Sequence, residues 1–437
     1  MARKLFGTDG IRGTANSEPM TPETALKVAM AVGECFYNGA HKHLVVIGKD
    51  TRLSGYMLEP ALTAGFVTMG MDVVLVGPLP TPAIAMLTRS LRADLGVVLS
   101  ASHNPYGDNG IKLFGRDGYK LSDELELKIE SHLEKGPSRR AAPAELGRVK
   151  RLDDAGGRYI EFVKQSFPRG LRLDGLRIVV DCANGAYSGI GPQAFERCGA
   201  EVHAIGDAPD GTNINVGCGA TDLALLQRTV VERGYDLGIA FDGDGDRMLA
   251  VDENGAVVDG DQIVAILALD QQVDQVAVTV MTNLGFHALM RDHDITVHTT
   301  DVGDRYVLEA LQREGGLLGG EQSGHIIYLR DHVTGDGLAA GLLLCGALKG
   351  RPLSEAAAVM PRWPQSKENV RVESKELSPA VLDEVERLNQ AWDGGGRVLV
   401  RPSGTEPVIR VLAEAENAEV AAQACASITA LVPRELG

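Results

Sequence analysis

Short apolar runs, each closed by glycine or polar residues, recur along the chain and predict buried β-strands. Six of these runs form three pairs, in chain order Leu44–Gly48 with Asp72–Val76, Arg177–Asp181 with Glu201–Ile205, and Val276–Met281 with Ile295–Thr299. Helical patterns lie between the runs, and strands that alternate with helices indicate largely parallel sheets covered on both faces. The pattern therefore predicts one α/β unit written three times.

A third apolar run completes each unit, at Asp94–Leu99, at Asp236–Phe241 and, more weakly, at Gly316–Gly319. The first two share the letters D-L-G-V/I, which suggests duplication. The loops that follow carry the unusual residues of the chain: Ser100–Pro105, Asp242–Asp246 and Gly319–His325. Because ligands of α/β sheets bind beyond the carboxyl ends of strands, these matching loops predict one shared cleft between domains.

A chain of 437 residues is too long for one hydrophobic core, and three or four domains are expected. Composition shifts predict three tandem similar α/β domains with mixed, mainly parallel sheets, at residues 1–150, 151–253 and 254–364. A small α+β domain is predicted at 365–437. Gly136–Gly157 is predicted as the first linker. A helix opened by Pro379 should present Val381, Leu382, Val385, Leu388 and Trp392 as its apolar face.

The net charge of −16 argues against a general nucleic-acid or anionic membrane surface, although a locally basic site for a small anion stays open. Six scattered cysteines without a C-x-x-C pair predict reduced thiols in a cytoplasmic protein. No secretory h-region is visible, and the longest apolar stretch, Leu338–Leu348, is too short to span a bilayer.

Three aspartates at every second position, Asp242, Asp244 and Asp246, follow a predicted buried strand. Residues two apart share a face of an extended chain, so the carboxylates can converge. The intervening glycines also permit a curled loop. Packed carboxylates repel unless a cation lies among them, and a hard, oxygen-preferring cation such as Mg²⁺ fits.

Two other interpretations of this segment compete with a magnesium site. Asp/Gly-rich segments are commonly turns. The segment also matches the first three ligand positions of an EF-hand, with Glu253 at the twelfth. Against the EF-hand, Arg247 stands where glycine is needed, and the flanks have the pattern of strands rather than helices.

Ser102 lies in the loop S-A-S-H-N-P, and Lys112 follows ten residues later. A loop serine is ordinarily a solvated residue. The G-x-S-x-G elbow is absent, so serine-hydrolase chemistry is not indicated. A serine near a metal–carboxylate site suits phosphoryl transfer, because a cation and basic side chains would offset the charge of a phosphoserine.

The segment Arg401–Pro407, with Arg410 after it, has the pattern of a phosphate cradle. Arginine offers a bidentate fork, Ser403 and Thr405 add hydroxyl donors, and Gly404 exposes backbone N–H groups. A polar β-turn with a surface arginine is an equally simple interpretation.

The N-terminal segment Gly7–Gly13 follows no predicted strand and is not a dinucleotide fingerprint. Its Arg12 could contact a phosphate or lie on the surface. Glu321, Ser323 and His325 alternate and could share a face that recognises hydroxyls, or belong to a loop that merely caps a domain. The histidines show no zinc-ligand spacing.

Taken together and in their order along the chain, the five motifs resemble the α-D-phosphohexomutase family over nearly the whole chain: Gly7–Gly13, Ser100–Pro105, Asp242–Arg247, Gly319–His325 and Arg401–Pro407. The resemblance implies four domains around a central cleft and an isomerase that moves a phosphoryl group on a hexose phosphate. The forms S-A-S-H-N-P, D-N-G-I-K and G-G-E-Q-S-G-H are more similar to the glucosamine branch than to the glucose/mannose branch. That branch interconverts glucosamine 6-phosphate and glucosamine 1-phosphate, which supplies UDP-N-acetylglucosamine and peptidoglycan precursors.

The resemblance also implies residue roles. Ser102 would be phosphorylated and, with Asp242, Asp244 and Asp246, would bind one Mg²⁺. Sugar hydroxyls would be bound by Glu321 and Ser323, and the non-reacting phosphate by the loop with Arg401, Ser403, Gly404, Thr405 and Arg410. The further active-site residues would be Arg12, His103, Lys112, Arg247 and His325, with Lys112 and His325 both open as general base.

The implied intermediate and activator is glucosamine 1,6-bisphosphate. The expected partner is a small hexosamine phosphate, with no nucleic acid or membrane. The oligomeric state stays open, with a homodimer as one option. Three alternatives also stay open: the same mechanism on glucose or mannose phosphates, a phosphatase, and a non-catalytic sugar-phosphate sensor.

Overall fold

The computed structural model describes residues 5–7, 9–36, 41–392, 394–403 and 407–436. The backbone divides into two compact units. The first unit comprises residues 1–280 and 298–357, and the second comprises residues 281–297 and 358–437. Among the described residues, no helix combines the length and the apolar character needed to cross a lipid bilayer.

The described strands number eighteen and the α-helices fourteen. The strands are β1 Ile11–Thr14, β2 Leu44–Lys49, β3 Asp72–Pro78, β4 Leu95–Leu99, β5 Asp108–Gly115, β6 Val149–Arg151, β7 Arg177–Asp181, β8 Glu201–Ile205, β9 Leu237–Phe241, β10 Met248–Asp252, β11 Val257–Val258, β12 Gln275–Thr279, β13 Thr296–Thr300, β14 Leu318–Gly320, β15 Ile326–Tyr328, β16 Gln365–Arg371, β17 Gly396–Pro402 and β18 Val408–Ala415. The helices are α1 Pro22–Phe36, α2 Gly55–Thr68, α3 Thr81–Ser90, α4 Asp123–Lys135, α5 Ala155–Val163, α6 Gly191–Cys198, α7 Ala224–Arg233, α8 Gly260–Gln271, α9 Leu284–Asp292, α10 Asp304–Glu314, α11 Gly337–Leu348, α12 Leu353–Ala357, α13 Pro379–Trp392 and α14 Ala418–Leu436.

Three sheets repeat one strand order, which confirms the predicted internal repeat. The first has the order β1-β5-β4-β2-β3-β6, the second β11-β10-β9-β7-β8 and the third β13-β12-β14-β15. In each, the third strand of the unit lies between the first strand and an antiparallel neighbour, namely β5, β10 or β15. The sheets are therefore mixed and mainly parallel, as the sequence predicts.

The apolar runs become strands because burial on both faces favours unbroken aliphatic segments. Every residue of β4 and of β9 is buried. Each of these two strands is followed at its carboxyl end by one of the loops singled out above, Ser100–Pro105 after β4 and Asp242–Asp246 after β9. The two loops therefore follow equivalent strands of two repeated sheets.

The second unit contains a three-stranded antiparallel sheet in the order β16-β18-β17, packed against α13 and α14. Its core includes Val381, Val398, Ile409 and Ile428. The predicted apolar face of α13 is wrong at Leu382, whose side chain is 49% exposed because the residue next to a buried helical position points away from the core.

The linker prediction for Gly136–Gly157 is also wrong in part. Val149–Arg151 forms β6, which pairs parallel to β3 at the edge of the first sheet. All three of its residues are exposed, so no hydrophobic alternation marked the strand. The domain boundaries at residues 150, 253 and 364 stay predictions.

Candidate active site

The Asp242–Asp246 segment is a tight connection between antiparallel β9 and β10. One oxygen from each of Asp242, Asp244 and Asp246 lies within 4.8 Å of the other two, so the predicted convergence is present. The chain achieves it by a turn and not by the extended alternation considered from the sequence. The flanking strands also make the EF-hand interpretation wrong, since that motif needs flanking helices.

The two glycines of this turn are needed for different reasons. Gly245 has a φ of +76°, a region that glycine adopts without the cost of a side chain. A Cβ on Gly243 would lie 2.6 Å from the carbonyl oxygen of Ser102. Glycine at position 243 therefore lets the aspartate turn and the serine loop approach each other.

Two buried carboxylate oxygens of the three aspartates take no part in the hydrogen bonds of the cluster. Asp242 accepts from the Gly245 and Arg247 backbone N–H groups with Oδ1. Asp244 Oδ2 accepts from Thr81 Oγ1 at 2.6 Å and from Lys112 Nζ at 2.8 Å. Asp244 Oδ1 and Asp246 Oδ1 are buried and accept no hydrogen bond from the described residues. Such orphaned carboxylate oxygens are the donors that Mg²⁺ prefers, so this site fits that ion.

The electrostatics of the cluster support the same conclusion. Burial, followed by the charges of Asp246 and Asp244, raises the pKa of Asp242 well above its usual range. Burial also tends to raise the pKa of Asp246, but the charges of Lys112, His325 and Arg247 hold it below its usual range. Three buried carboxylates at this spacing thus attract a cation strongly.

Ser102 lies beside this cluster. Its hydroxyl donates to Asp242 Oδ2 over 2.6 Å and lies 3.5 Å from His103 Nδ1. The serine has a φ of +52°, a left-handed conformation that costs a non-glycine residue about 1–2 kcal/mol. The backbone of this loop therefore needs support from the surrounding structure to keep that conformation.

A buried network under the loop supplies that support. Arg52 is fully buried and donates to the carbonyl oxygens of Ser102 at 2.9 Å and of Asn104 at 2.8 Å. Its Nε donates to Asp50, which also accepts from Ser100 Oγ, and Ser100 Oγ in turn accepts from the Ser102 N–H. These hydrogen bonds hold the backbone of Ser102, the candidate nucleophile, in a fixed position.

Basic and acidic residues alternate in a closed ring beside the cluster. Lys112 Nζ lies 3.7 Å from Asp246 and 3.1 Å from Asp9. Lys120 Nζ lies 2.6 Å from both Asp9 and Asp304. His325 closes the ring, with Nε2 3.7 Å from Asp304 and Nδ1 3.8 Å from Asp246. We call Lys112, Asp9, Lys120, Asp304, His325 and Asp246 the charge ring.

The pKa values of the basic members follow from this arrangement. Burial lowers the pKa of Lys112, but the carboxylates of Asp244, Asp9 and Asp246 raise it by more, to a value above its ordinary one. The same balance, set by burial against the nearby carboxylates of Asp246 and Asp304, raises the pKa of His325 above 6.5. Lys112 is therefore held protonated.

The remaining predicted residues of the first unit lie around this centre. Arg12, in β1, pairs with Asp9. Arg247 forms an isolated antiparallel bridge with His325, and its Nε lies 4.0 Å from Asp246 Oδ1. Burial, together with the charges of Arg247 and Arg12, lowers the pKa of His103 to about 4. His103 is therefore a neutral hydrogen-bonding partner at neutral pH.

Glu321 and His325 bracket a turn between β14 and β15. The backbone N–H of Glu321 donates to His325 O, and Gly324 N–H donates to Glu321 O. Glu321 and His325 are buried and Ser323 is exposed. The extended alternation considered from the sequence is therefore wrong for this loop, because the chain folds back within four residues. Ser323 is the exposed residue of the three, and a group that binds sugar hydroxyls must be accessible to solvent.

The second unit holds the predicted phosphate-binding residues at the junction of β17 and β18. Arg401 lies opposite Arg410 in the antiparallel register. Ser403 is buried, and its Oγ lies 3.4 Å from an Arg410 nitrogen. A cavity of about 310 Å³ is lined by Arg401, Arg410 and Lys367 among others, and Glu368 is the one acidic residue among the described residues that line it. Gly404 and Thr405 lie outside the described residues.

Several site residues escaped the sequence analysis. Thr81, Lys120 and Asp304 stand alone in the sequence, in contexts that do not distinguish them from surface residues. Asp9 lies within the Gly7–Gly13 segment, of which the sequence analysis considered only Arg12. Asp50 and Arg52 had a signal, because they follow the buried strand β2 at its carboxyl end, where parallel sheets carry their ligand-binding residues. An acidic and a basic residue at that position are a pattern that could have been noticed from the sequence.

Four sequence models of the phosphoglucomutase/phosphomannomutase family match the chain in order. The alpha/beta/alpha domains I, II and III match residues 3–140, 157–255 and 259–363. The C-terminal domain of the family matches residues 368–431. The matches together cover most of the chain.

Relatives and solved structures agree with these matches. The phosphoglucosamine mutase of Rhodospirillum rubrum is 54% identical, and the alignment covers 98% of each chain. A phosphoglucomutase/phosphomannomutase family protein of Burkholderia thailandensis has the same fold, with a TM-score of 0.82, 23% identity, and coverage of 98% of this chain and 96% of that one. The Aspergillus fumigatus N-acetylphosphoglucosamine mutase, solved with GlcNAc-6P and magnesium, gives a TM-score of 0.68 at 19% identity over 99% of this chain and 95% of that one.

Proposed function

Because the chain belongs to the phosphoglucomutase/phosphomannomutase family, we propose that it interconverts glucosamine 6-phosphate and glucosamine 1-phosphate. It is an isomerase, and in this proposal its phosphoryl carrier is Ser102. The choice of glucosamine rests on full-length relatives such as the Rhodospirillum rubrum protein, which bears the name of that activity. Ser102 in contact with a buried triple-aspartate cluster is the observation that carries the mechanism.

Asp242, Asp244 and Asp246 would hold one Mg²⁺, together with an oxygen of phosphorylated Ser102. When bound, the ion would supply positive charge to offset the phosphoryl group. The orphaned oxygens of Asp244 and Asp246 support this assignment. So does the magnesium reported in the Aspergillus fumigatus relative's structure.

In the first step, the P–O bond of phosphoserine 102 breaks as a new bond forms between phosphorus and O1 of glucosamine 6-phosphate. The proton of the O1 hydroxyl passes to a general base, Ser102 Oγ takes up a proton as the phosphoryl group leaves it, and the product is glucosamine 1,6-bisphosphate. Protonated Lys112 and Arg247 stabilise the negative charge on the transferring group, because phosphoryl transfer depends mainly on positioning and electrostatics.

In the second step, the bisphosphate turns over and Ser102 Oγ takes the phosphoryl group from O6. The Ser102 hydroxyl loses its proton, O6 gains one, and glucosamine 1-phosphate is released. The two steps together restore phosphoserine 102, so no external phosphate is consumed. Added glucosamine 1,6-bisphosphate would act as an activator, because it can rephosphorylate a Ser102 that has lost its phosphate.

We assign the general base to His325. Lys112 was the other candidate, but the carboxylates that surround Lys112 raise its pKa and keep it protonated. A base must accept a proton near its working pH, and a histidine does so more readily than a lysine of raised pKa. His325 belongs to the charge ring, whose carboxylates Asp246 and Asp304 would keep its imidazole oriented.

The second unit supplies the site for the phosphate that does not react. We assign this role to Arg401, Ser403 and Arg410, with the predicted Gly404 and Thr405. Clustered arginines favour a doubly charged phosphate through charge-assisted bidentate hydrogen bonds. Glu321 and Ser323 would contact sugar hydroxyls, and Arg12 and His103 would contact the reacting phosphate.

The expected setting is cytoplasmic, where the product would supply UDP-N-acetylglucosamine and peptidoglycan precursors. The partner is a small hexosamine phosphate. The proposal needs neither a nucleic acid nor a membrane, and a homodimer is not required for the chemistry.

The deciding experiment is a ³¹P NMR assay of the purified chain with Mg²⁺ and a trace of hexose 1,6-bisphosphate. Glucosamine 6-phosphate should be converted to glucosamine 1-phosphate, at a higher kcat/KM than glucose or mannose 6-phosphate. Faster turnover of glucose or mannose phosphate would indicate the other branch of the family. Stoichiometric inorganic phosphate would indicate a phosphatase, and binding without turnover would indicate a sensor.

A further inference from the structure

A second cluster of metal-ligating side chains lies at the amino ends of inner strands of the first sheet, at the end of the strands opposite to the Ser102 loop. His41 and His43 precede β2, and Asp94 precedes β4, so all three lie at the amino ends of neighbouring parallel strands. Ser102 follows the carboxyl end of β4. The five residues of β4 alone span roughly 17 Å. This cluster is therefore separate from the candidate active site.

His41 and His43 flank Lys42 in the segment that leads into β2, and the side chain of Lys42 makes other contacts. Lys42 Nζ donates to the carbonyl oxygens of Glu145 at 2.9 Å and Leu146 at 3.1 Å. The imidazoles of His41 and His43 both lie beside the carboxylate of Asp94, and their ring centroids are 4.3 Å apart.

The three side chains lie close enough together to bind one metal ion. His41 Nε2 lies 2.9 Å from Asp94 Oδ1, and His43 Nδ1 lies 3.3 Å from Asp94 Oδ2. One ligand atom from each of the three residues lies within 4.8 Å of the other two. Ligands bound at about 2.0–2.1 Å in tetrahedral geometry stand roughly 3.4 Å apart, within the observed range.

The site is also held in place before any ion arrives. Asp94 N–H donates to Leu44 O at 2.9 Å, and Asp94 Oδ2 accepts from Leu44 N–H at 3.0 Å. Asp72 N–H donates to His43 O. His43 and Asp94 are buried, whereas the His41 side chain is 47% exposed and gives the ion a route from solvent.

We propose that His41, His43 and Asp94 form a binding site for a divalent transition metal such as Zn²⁺. Imidazole ligands select such ions over Mg²⁺, which prefers oxygen. Three protein ligands leave a fourth position for water. The bound ion would join the segment before β2 to the start of β4 and stabilise the first sheet. This proposal does not depend on the proposed mutase activity.

The test uses the full chain freed of metal with a chelator and then held in excess MgCl₂, so that the triple-aspartate cluster is occupied. Isothermal titration with ZnCl₂ should show one site in the wild-type protein, and the melting temperature should rise, because an ion that binds only the native state stabilises it. His41→Ala should weaken Zn²⁺ binding by about tenfold or more, a loss of about 1.4 kcal/mol. His41 is half exposed, so its removal leaves the core intact.

His293→Ala is the matched control, because it removes an exposed histidine of the second unit and should leave Zn²⁺ binding unchanged. Asp94→Asn gives a second reading if it folds with the wild-type circular dichroism spectrum. Equal Zn²⁺ affinity in His41→Ala and His293→Ala would overturn the proposal. A wild-type protein that binds no Zn²⁺ in excess Mg²⁺ would do the same, and would mean that the three residues form only a hydrogen-bonded cluster.

Discussion

The hydroxyl of Ser102 donates a hydrogen bond of 2.6 Å to Asp242, although 140 residues separate the two in sequence. The contact joins the loop after β4 to the turn after β9, the same position in two copies of the repeated unit. A group able to carry a phosphoryl and a group able to hold a cation are thereby placed in direct contact. The site is therefore formed by equivalent loops of two copies of one repeated unit.

Replacing Ser102 with alanine should abolish mutase turnover and leave the fold intact. The change removes the phosphoryl acceptor and one hydrogen bond, and it leaves the aspartates in place. Turnover by ³¹P NMR, the circular dichroism spectrum and the intact mass of the wild-type protein measure the outcome. The wild type should carry a phosphate on Ser102. Activity near the wild-type level in the variant would refute the phosphoserine role.

Asp242→Asn should raise the stability of the metal-free protein while it removes the stabilisation by Mg²⁺. The pKa of Asp242 is raised by burial and by Asp246 and Asp244. A carboxyl whose native pKa is raised binds more protons in the native state than in the unfolded state, so stability falls as pH rises above the unfolded value of about 3.9. Asparagine removes that loss.

The measurement for Asp242→Asn is the melting temperature between acid and neutral pH in EDTA and in MgCl₂. A relief of 1 kcal/mol corresponds to roughly 2–4 °C in domains of 150–250 residues. In EDTA the variant should exceed the wild type at neutral pH and approach it in acid. In MgCl₂ the order should reverse. A variant that is less stable than the wild type in EDTA at neutral pH would contradict the electrostatic account.

Arg52→Lys should lower kcat by about 10–100-fold with little change in KM. Arg52 holds the carbonyls of the Ser102 loop, and a lysine keeps the charge but cannot reproduce the planar fork. A misplacement of the reacting group by about 1 Å can cost 10²-fold in rate. Steady-state kinetics on Arg52→Lys and on Arg172→Lys, which alters an exposed ion pair, measure the effect. An unchanged kcat in Arg52→Lys would show that the loop holds its conformation unaided.

The parts of the fold that could be predicted are those that local sequence patterns determine. Arg177–Asp181 and Glu201–Ile205 are confirmed to the residue, and Asp236–Phe241 is confirmed to within one residue. For β7 and β9 the reason is that buried parallel strands need unbroken apolar runs. Val149–Arg151 escaped prediction because an exposed edge strand of three residues takes its pairing from β3 and not from its own composition.

The candidate site divides in the same way. Asp242, Asp244 and Asp246 share one local motif, and their convergence could be predicted from it. Lys120 and Asp304 have no such motif, because their partnership is a contact between residues 184 apart. Single charged residues become recognisable as parts of a charge ring only when the sheets bring them together.

His325→Gln should lower kcat by roughly 10²–10⁴-fold, the usual contribution of a general base. It should also remove the acidic limb of the pH–rate profile. A base must be deprotonated to act, so wild-type kcat should fall as pH drops through a pKa that lies above 6.5. The profile of kcat against pH for the wild type, His325→Gln and the helix α4 control His132→Gln measures this. An acidic limb that survives in His325→Gln would assign the base to another residue.

Arg401→Ala should raise KM for glucosamine 6-phosphate by roughly 10–100-fold and change kcat much less. Hydrogen bonds to charged groups contribute about 1.5–3 kcal/mol, and the phosphate that does not react is bound similarly in the ground state and the transition state. Arg387→Ala, which removes an arginine from an exposed ion pair on α13, is the matched control and should leave both constants unchanged. Competition by inorganic phosphate should weaken in Arg401→Ala alone, because Arg401 lines a cavity rich in basic side chains. If kcat fell while KM held constant, Arg401 would act on the transition state, and the second unit would not be a simple phosphate holder.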